Sequence, residues 1–213
     1  MRTGDLIRAL AADAETRPAS PRRALALALT QSVAIAVALY VATLGLRPHF
    51  FALLGENPRL LFKLCLTLLL VWLSGRFVLR LVQPGADVGG AAILLGIAPA
   101  LLAVANLAEI LAVPTGEWGQ RLVGSNAIHC LESIPFLAAA PLVAALLALR
   151  QGAPENPALA GAGAGLLAGA IGAALYATHC PDDSPFFVAA WYSLAIAIVA
   201  AVGALVGARL LRW

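Results

Sequence analysis

Long apolar stretches, separated by short polar breaks, run through almost the whole chain. They lie near residues 24–46, 60–82, 88–113, 126–149, 158–178 and 186–208. An α-helix rises about 1.5 Å per residue, so about 20 apolar residues cross the roughly 30 Å hydrocarbon core of a bilayer. None of the stretches has the alternating ten-residue pattern of a membrane β-barrel. The pattern therefore predicts an all-α fold: a polytopic membrane protein with a bundle of six transmembrane helices and a short N-terminal amphipathic helix.

The composition supports the same fold class. Of the 213 residues, 62% are hydrophobic and only 12% are charged, and the mean hydropathy is +0.90. A soluble domain has about 25% charged residues, because a polar surface must cover its core. These values exclude a soluble enzyme, a disordered tail and a nucleic-acid-binding domain. The net charge of +3 does not indicate direct nucleic-acid binding either, because the basic residues cluster at the ends of the predicted helices.

The placement of the basic residues predicts the orientation in the membrane. With the N-terminus inside, four of the 14 Lys and Arg residues fall outside and the others lie on the cytoplasmic side. The four are Arg47, Arg59, Lys63 and Arg121. Because basic residues concentrate on the cytoplasmic side of membrane proteins, we expect both termini to be cytoplasmic, in the inner membrane of a bacterium.

This orientation divides the chain into three regions. Residues 1–23 form a cytoplasmic partner-binding segment, residues 24–208 form the transmembrane domain, and residues 209–213 form a cytoplasmic tail. The first apolar stretch, of about 23 residues, exceeds the roughly 7–15 residues of a signal-peptide core. We therefore interpret it as a permanent anchor.

The N-terminal segment has the pattern of a short amphipathic helix. Thr3 can cap the helix, and Asp5 in the first turn is favourable near the positive end of the helix dipole. Leu6 and Leu10 are four residues apart and lie beside Ile7, which gives one apolar stripe. Such a helix can dock into a groove of a partner protein. The alternative is a frayed leader that only sets the orientation.

Two His-Cys pairs stand at the ends of neighbouring predicted helices. His129-Cys130 opens the fourth and His179-Cys180 closes the fifth. Similar helix lengths place both thiols at a similar height near the outer surface, in a compartment where disulfides persist. Three interpretations compete: a thiol pair that cycles with a disulfide, a soft or borderline metal site, and two inert buried thiols. The repetition of the pair favours a sensor.

A metal site would draw on a defined group of side chains. Glu132 is three residues from His129, so it shares a helix face with that imidazole and can orient it. The candidate ligands are His129, Cys130, Glu132, His179 and Cys180. No cofactor is predicted with certainty, and the metal ion would act as the signal.

Two further membrane-embedded residues carry expectations. Cys65 has no polar partner in its span, and we expect it to fill the core. Glu109 lies near the outer end of the third span, where a carboxylate is costly to bury and is a functional candidate. Its expected partner is Asn106, Lys63 or Arg121, and the alternative is a carboxylate that snorkels towards the interface.

Small residues at four-residue spacing mark the last two spans. They are Gly161, Gly165 and Gly169 in the fifth span, and Gly203 and Gly207 in the sixth. Such ridges let helix backbones approach closely in a membrane. The partner of each ridge could be another helix of the same chain or a second copy, so a homo-oligomer stays open.

The sequence contains no catalytic constellation, and we expect no enzymatic activity. The few Ser residues have no His and acid partners, and no CxxC motif occurs. The alternative function is a small transporter or metal exporter that uses the His/Cys cluster, including Asp182, as its substrate site. A membrane thiol oxidoreductase that turns over a quinone or a dithiol is a third option.

Three features together resemble one family. They are the opening run from Thr3 to Asp13, the two His-Cys pairs, and the closing Arg209-Leu210-Leu211-Arg212-Trp213. The chain resembles the NrsF-type six-span membrane anti-sigma factors, negative regulators of the sigma-F group of extracytoplasmic-function (ECF) sigma factors.

The resemblance implies a partner and a signal. The cytoplasmic segment would bind an ECF sigma factor and keep it from RNA polymerase, and Cys130 and Cys180 would be needed to respond to heavy metals or oxidants. The partner-binding residues would be Thr3, Asp5, Leu6, Ile7, Leu10 and Asp13.

Overall fold

The computed structural model of the protein describes residues 3–5, 21–82, 88–152 and 154–212, and these ranges are helical with no strand. The helices are α1 (Pro21–Thr43), α2 (Phe50–Glu56), α3 (Pro58–Leu81), α4 (Gly89–Leu95), α5 (Ile97–Ala112), α6 (Trp118–Val123), α7 (Ala127–Arg150), α8 (Pro157–Ala177) and α9 (Pro185–Leu210). A single 3₁₀ turn, Thr115–Glu117, precedes α6.

Within the described ranges, six helical stretches are long and apolar enough to cross a membrane. They are α1, α3, α4 with α5, α6 with α7, α8 and α9, so the predicted all-α class with six spans is confirmed. The third span consists of two helices that meet at Gly96, whose N–H bonds to the carbonyl of Ile93. The sidedness of the membrane, and with it the division into residues 1–23, 24–208 and 209–213, stays a prediction.

Local sequence explains where several helices begin. Asn57, Asn156 and Ser184 each accept a backbone N–H of the first turn with their side chains. A proline follows each of them at the first helical position, where the missing N–H costs nothing. Asn57 and Ser184 lie at one end of the bundle, which we name the Asp183 end. Arg150 closes α7 at the opposite end, which we name the Arg150 end.

Helix α8 lies at the centre of the bundle, and the third span lies at its edge. α8 packs against α9, α7 and α3, while α1 packs mainly against α7. Of the 18 most apolar consecutive residues in α8, 67% are buried inside the bundle, against 6% of those in the third span. The third span therefore presents most of its surface to the surroundings, which in a membrane are lipid.

Glycines allow α8 and α9 to touch along their backbones. A Cβ atom at Gly161 would meet the carbonyl oxygen of Gly203, and one at Gly207 would lie 2.7 Å from the Cα of Gly161. A Cβ atom at Gly203 would lie 3.0 Å from the Cα of Gly165, and one at Gly165 would meet the carbonyl oxygen of Val199. A Cβ atom added at Gly169 would lie 3.2 Å from the Cα of Ile196, its nearest neighbour. Both predicted ridges therefore pack against each other within one chain.

Cys65 lies on the outside of the bundle, which corrects its predicted place in the core. The prediction placed it in the core, but the residue is exposed. It shares the outward face of α3 with Leu61 and Leu68, which are also exposed. Outward apolar side chains are ordinary where lipid replaces water, so an apolar neighbourhood in the sequence did not distinguish core from lipid.

Candidate functional site

The two cysteines of the His-Cys pairs lie in one buried cluster at the Asp183 end. Cys130 belongs to the first turn of α7, and Cys180 lies in the loop after α8. Both residues are fully buried, both are free thiols, and they share the cluster with Tyr176 and Tyr192. The fold therefore brings together the pair that the sequence singled out.

A network of ion pairs holds the loop that carries Cys180. The Asp183 carboxylate lies 2.5 Å from Lys63 Nζ and 3.0 Å from the Arg47 guanidinium. Asn57 Nδ2 donates a third contact to it, at 2.8 Å. Asp183 thus binds side chains from α3 and from the segments before α2 and α3, and it fixes the loop against them.

Lys63 also contacts the backbone around Cys180. Its ammonium donates to the carbonyl of Cys180 at 2.8 Å and to the carbonyl of Asp182 at 3.3 Å. The side chain has no solvent exposure, and its Nζ lies 5.9 Å from the centre of the Tyr192 ring. A buried ammonium is tolerated only when its N–H groups find partners. Here the loop supplies them, so loop conformation and lysine burial depend on each other.

Asp182 connects the same loop to the helix that carries Cys130. Its carboxylate accepts the backbone N–H groups of Ser125, at 3.1 Å, and Asn126, at 2.9 Å. These groups lie just before α7, where a negative charge favourably meets the positive end of the helix dipole. One residue of the Cys180 loop therefore anchors the start of the Cys130 helix.

Aromatic side chains close the buried face of the thiols. Val188–Tyr192 forms a π-helical turn inside α9, a feature that is frequent at functional sites. Among the described residues, the buried Tyr192 hydroxyl finds no hydrogen-bond partner, and the residue packs in the same buried cluster as Cys130 and Cys180. The turn thus places an aromatic ring and an unpaired hydroxyl in the cluster of the thiols.

The surroundings of Cys180 favour the protonated thiol. Burial is the largest effect and raises the pKa of the Cys180 thiol above its ordinary value. The Lys63 ammonium and a hydrogen bond from the Asp182 backbone N–H act in the opposite direction, because both favour the thiolate. The thiol is therefore protected at neutral pH, yet a positive charge stands beside it.

The five candidate metal ligands do not converge. His129 and Glu132 are exposed, whereas Cys130 and Cys180 are buried, and His179 Nδ1 lies 2.9 Å from the carbonyl oxygen of Gly45. In the described parts of the chain, no group of three His, Cys, Asp or Glu side chains is placed to hold a metal ion. Of the five candidate ligands, only Cys130 and Cys180 belong to the buried cluster.

Glu109 is buried and paired. Its carboxylate lies 3.0 Å from Arg59 Nε and 3.0 Å from Arg121. Of the three alternative partners, Arg121 is confirmed. Lys63 binds Asp183, and Asn106 donates to the carbonyl of Leu102 in its own helix, while Arg59 was not predicted.

The predicted partner-binding residues fall mostly outside the described ranges. Thr3 and Asp5 are helical and exposed. The remaining four, Leu6, Ile7, Leu10 and Asp13, lie outside the described residues. Their roles stay predictions.

The residues that organise the Cys180 loop were not predicted from the sequence. Arg47, Asn57 and Asp183 had no predicted role at this site, and Lys63 was considered only as one of three alternative partners of Glu109. One signal was available: Lys63 is a charged residue one turn inside an apolar helix, and such residues are buried in protein and paired. Its partner lies 120 positions away in the chain, where no local pattern reports it.

By fold and composition the chain is a polytopic helical membrane protein with a buried polar site. A family model described as negative regulator of sigma F (NrsF) matches residues 10–213. The chain belongs to this family of anti-sigma factors, which is not a class of enzymes.

Two curated relatives match over their whole lengths. The anti-sigma-F factor NrsF of Caulobacter vibrioides (strain NA1000 / CB15N) is 37% identical over 217 residues, with 100% of both chains covered. The probable anti-sigma-F factor NrsF of Azospira oryzae (strain ATCC BAA-33 / DSM 13638 / PS) is 38% identical over 216 residues, again with 100% of both chains covered. No solved structure matches the chain.

Proposed function

We propose that this membrane anti-sigma factor sequesters an ECF sigma factor through its N-terminal segment and releases it when Cys130 and Cys180 are oxidised. The observation that carries the proposal is the family match, which extends over residues 10–213. Two anti-sigma-F relatives that align over their full lengths support the same activity.

The N-terminal segment is the proposed sigma-factor site. The loops between the described spans are short, so this segment offers more surface than any of them. Its apolar stripe of Leu6, Ile7 and Leu10 suits a helix that docks into a groove. Thr3, Asp5 and Asp13 would contribute polar contacts around that stripe.

The proposed signal is the formation of a disulfide. The two thiols lose two protons and two electrons to an oxidant such as a hydroperoxide, which is reduced to an alcohol and water while the sulfur–sulfur bond forms. This chemistry belongs to the extracytoplasmic side of a bacterial inner membrane, where disulfides persist. Both termini would then be cytoplasmic. The alternative signal is the binding of a soft metal ion by the two sulfurs, which requires no oxidation.

The packing of the helices offers a route from the thiols to the N-terminus. Cys130 lies in α7, and α7 is the main packing partner of α1. α1 begins at Pro21, within the last three residues of the proposed sigma-factor segment, residues 1–23. A disulfide to Cys180 would favour one arrangement of α7 over another, and only such a preference between two states can transmit a signal.

Co-purification tests the partner, and a cysteine variant tests the signal. The full chain should capture a sigma factor from cytoplasmic extract, and the chain without residues 1–20 should not. Capture that survives the deletion would refute the proposed binding segment.

Replacement of Cys130 and Cys180 by Ser should keep repression and abolish the response to oxidant. Cys65→Ser is the control and should respond normally.

A further inference from the structure

One face of α3 leads from the apolar middle of the bundle to a pair of arginines at the Arg150 end. Leu68 and Trp72 are 59% and 54% exposed, and Arg76 and Arg80 are also exposed. These residues follow one another at intervals of four, so they form a single outward stripe on the helix. The stripe is apolar in its first half and basic in its second.

The two arginines line a cavity between α3 and the peripheral helix α4. The cavity has a volume of about 430 Å³, and Gly90, Ala91 and Leu94 form its other wall. A Cβ atom added at Gly90 would meet nothing within 4 Å. The arginine side chains therefore face open space that a group of moderate size can occupy.

Trp72 orients one of the two guanidinium groups. The Arg76 guanidinium carbon lies 5.0 Å from the centre of the Trp72 ring. Stacking on an aromatic face leaves the N–H groups at the edge of the guanidinium free to donate. Free, forked N–H donors match the oxygens of a phosphate.

The arginines at the two ends of the bundle differ in their partners. At the Asp183 end, Arg47, Arg59 and Arg121 are all ion-paired with carboxylates. Among the residues that the structure describes, no carboxylate lies within 4.0 Å of Arg76 or Arg80. Arg76 lies more than one turn from the helix end at Leu81, and a guanidinium at that depth is costly in hydrocarbon unless an anion or water meets it. An anion that meets it would come from outside these residues.

We propose that Arg76, Arg80 and the cavity beside Gly90 bind the headgroup phosphate of an anionic phospholipid, with one acyl chain along Trp72 and Leu68. Basic pockets between membrane helices near the interface suit such headgroups. A lipid, rather than a free phosphate, fits because the apolar half of the stripe continues directly from the basic half. The site is independent of the thiols and of the sigma factor.

Native mass spectrometry of the full chain in mild detergent tests this site. The probe is an equal mixture of phosphatidylglycerol and phosphatidylethanolamine with matched acyl chains. We expect about tenfold more phosphatidylglycerol adducts on the natural protein, a preference that corresponds to about 1.4 kcal/mol. The double variant Arg76→Gln/Arg80→Gln should bring the ratio close to one. Gly90→Leu should do the same by filling the cavity while keeping both charges.

Arg150→Gln is the matched control. Arg150 is exposed at the same end of the bundle and does not line the cavity, so its variant should keep the preference. Equal adducts of both lipids on the natural protein would overturn the proposal. So would an undiminished preference in Gly90→Leu or the double arginine variant, an equal loss in Arg150→Gln, or complete displacement of the lipid by inorganic phosphate.

Discussion

Lys63 shows how a single residue holds the site together. Its ammonium satisfies a carboxylate and two backbone carbonyls of the Cys180 loop at once. Removing one partner of a buried charge pair costs about 3–5 kcal/mol, because the other charge stays buried without compensation. Here Asp183 keeps Arg47 as a second partner, so the cost should fall at the lower end of that range.

Lys63→Met should therefore lower the free energy of unfolding by about 3 kcal/mol. Arg59→Met is the comparison, because the Arg59 side chain is 42% exposed and its partner Glu109 keeps Arg121. A partly exposed pair of this kind contributes about 0–1 kcal/mol. Denaturant titration in detergent micelles measures both values. Equal losses in the two variants would contradict the proposed importance of the buried ammonium.

The raised pKa of Cys180 predicts a distinctive pH dependence of alkylation. The thiolate is the form that reacts. Because the pKa of Cys180 is raised, its alkylation should be slow at neutral pH and should become fast only at higher pH. In a protein with Cys65 and Cys130 replaced by Ser, the midpoint for a small neutral reagent should lie above the roughly 8.5 of an ordinary cysteine.

A second variant separates burial from the effect of the lysine charge on that midpoint. Lys63→Gln should move the midpoint of Cys180 further upward, since the ammonium favours the thiolate. The same protein unfolded in detergent gives the ordinary midpoint. A folded protein that titrates like the unfolded one would refute the protected thiol.

At the scale of helices, the contact between α8 and α9 should tolerate no added methyl group. Gly161→Ala would place a Cβ against the carbonyl of Gly203, whereas Gly75→Ala in α3 would meet only Leu167, at 3.9 Å. Overpacking costs about 1–3 kcal/mol, and a clash with backbone cannot be relieved by a rotamer change.

Thermal unfolding of the two variants measures the difference. We expect Gly161→Ala to lose stability and Gly75→Ala to keep or slightly gain it, because alanine is the better helix former by about 1 kcal/mol. If Gly161→Ala unfolds like the natural protein, the helices do not touch as described.

The sequence predicted the spans well because hydropathy is a property of each segment alone. The predicted stretch 60–82 became Pro58–Leu81, and 126–149 became Ala127–Arg150. The short helix Phe50–Glu56 and the π-helical turn at Val188–Tyr192 escaped notice. Both depend on how neighbouring segments pack, and a window of one sequence does not contain that information.

The candidate site was predictable only in part. The repeated His-Cys pairs marked Cys130 and Cys180, because helix length alone sets the height of a residue in the bilayer. The sequence of one segment does not show which helices lie beside it. The ion pair between Lys63 and Asp183 joins helices that are far apart in sequence, and pairing between them is decided by the whole bundle.

At the scale of the whole molecule, the two ends of the bundle differ in their charge balance. Lys63 and the three arginines predicted to lie outside are all paired with Asp183, Glu109 or Glu117. Their positive charges are therefore compensated locally. The Arg150 end carries exposed arginines at Arg76, Arg80 and Arg150. The positive-inside rule counts Lys and Arg and gives Asp and Glu little weight, so the number of basic residues predicts a cytoplasmic Arg150 end.

Engineered cysteines test this orientation better than the natural thiols, because Cys130 and Cys180 are fully buried and an impermeant reagent would miss them on either side. In a protein with all three natural cysteines replaced by Ser, Gly119→Cys places a thiol at the Asp183 end, where an added Cβ meets nothing within 4 Å. Arg150→Cys places one at the opposite end.

An impermeant maleimide should label Gly119→Cys in intact cells, and it should label Arg150→Cys only after the membrane is permeabilised. The reverse result would put the N-terminal segment on the outside, because α1 starts at the Arg150 end. A sigma factor in the cytoplasm could then never reach its proposed binding site, and the thiol pair would lie in a reducing compartment where a disulfide does not persist.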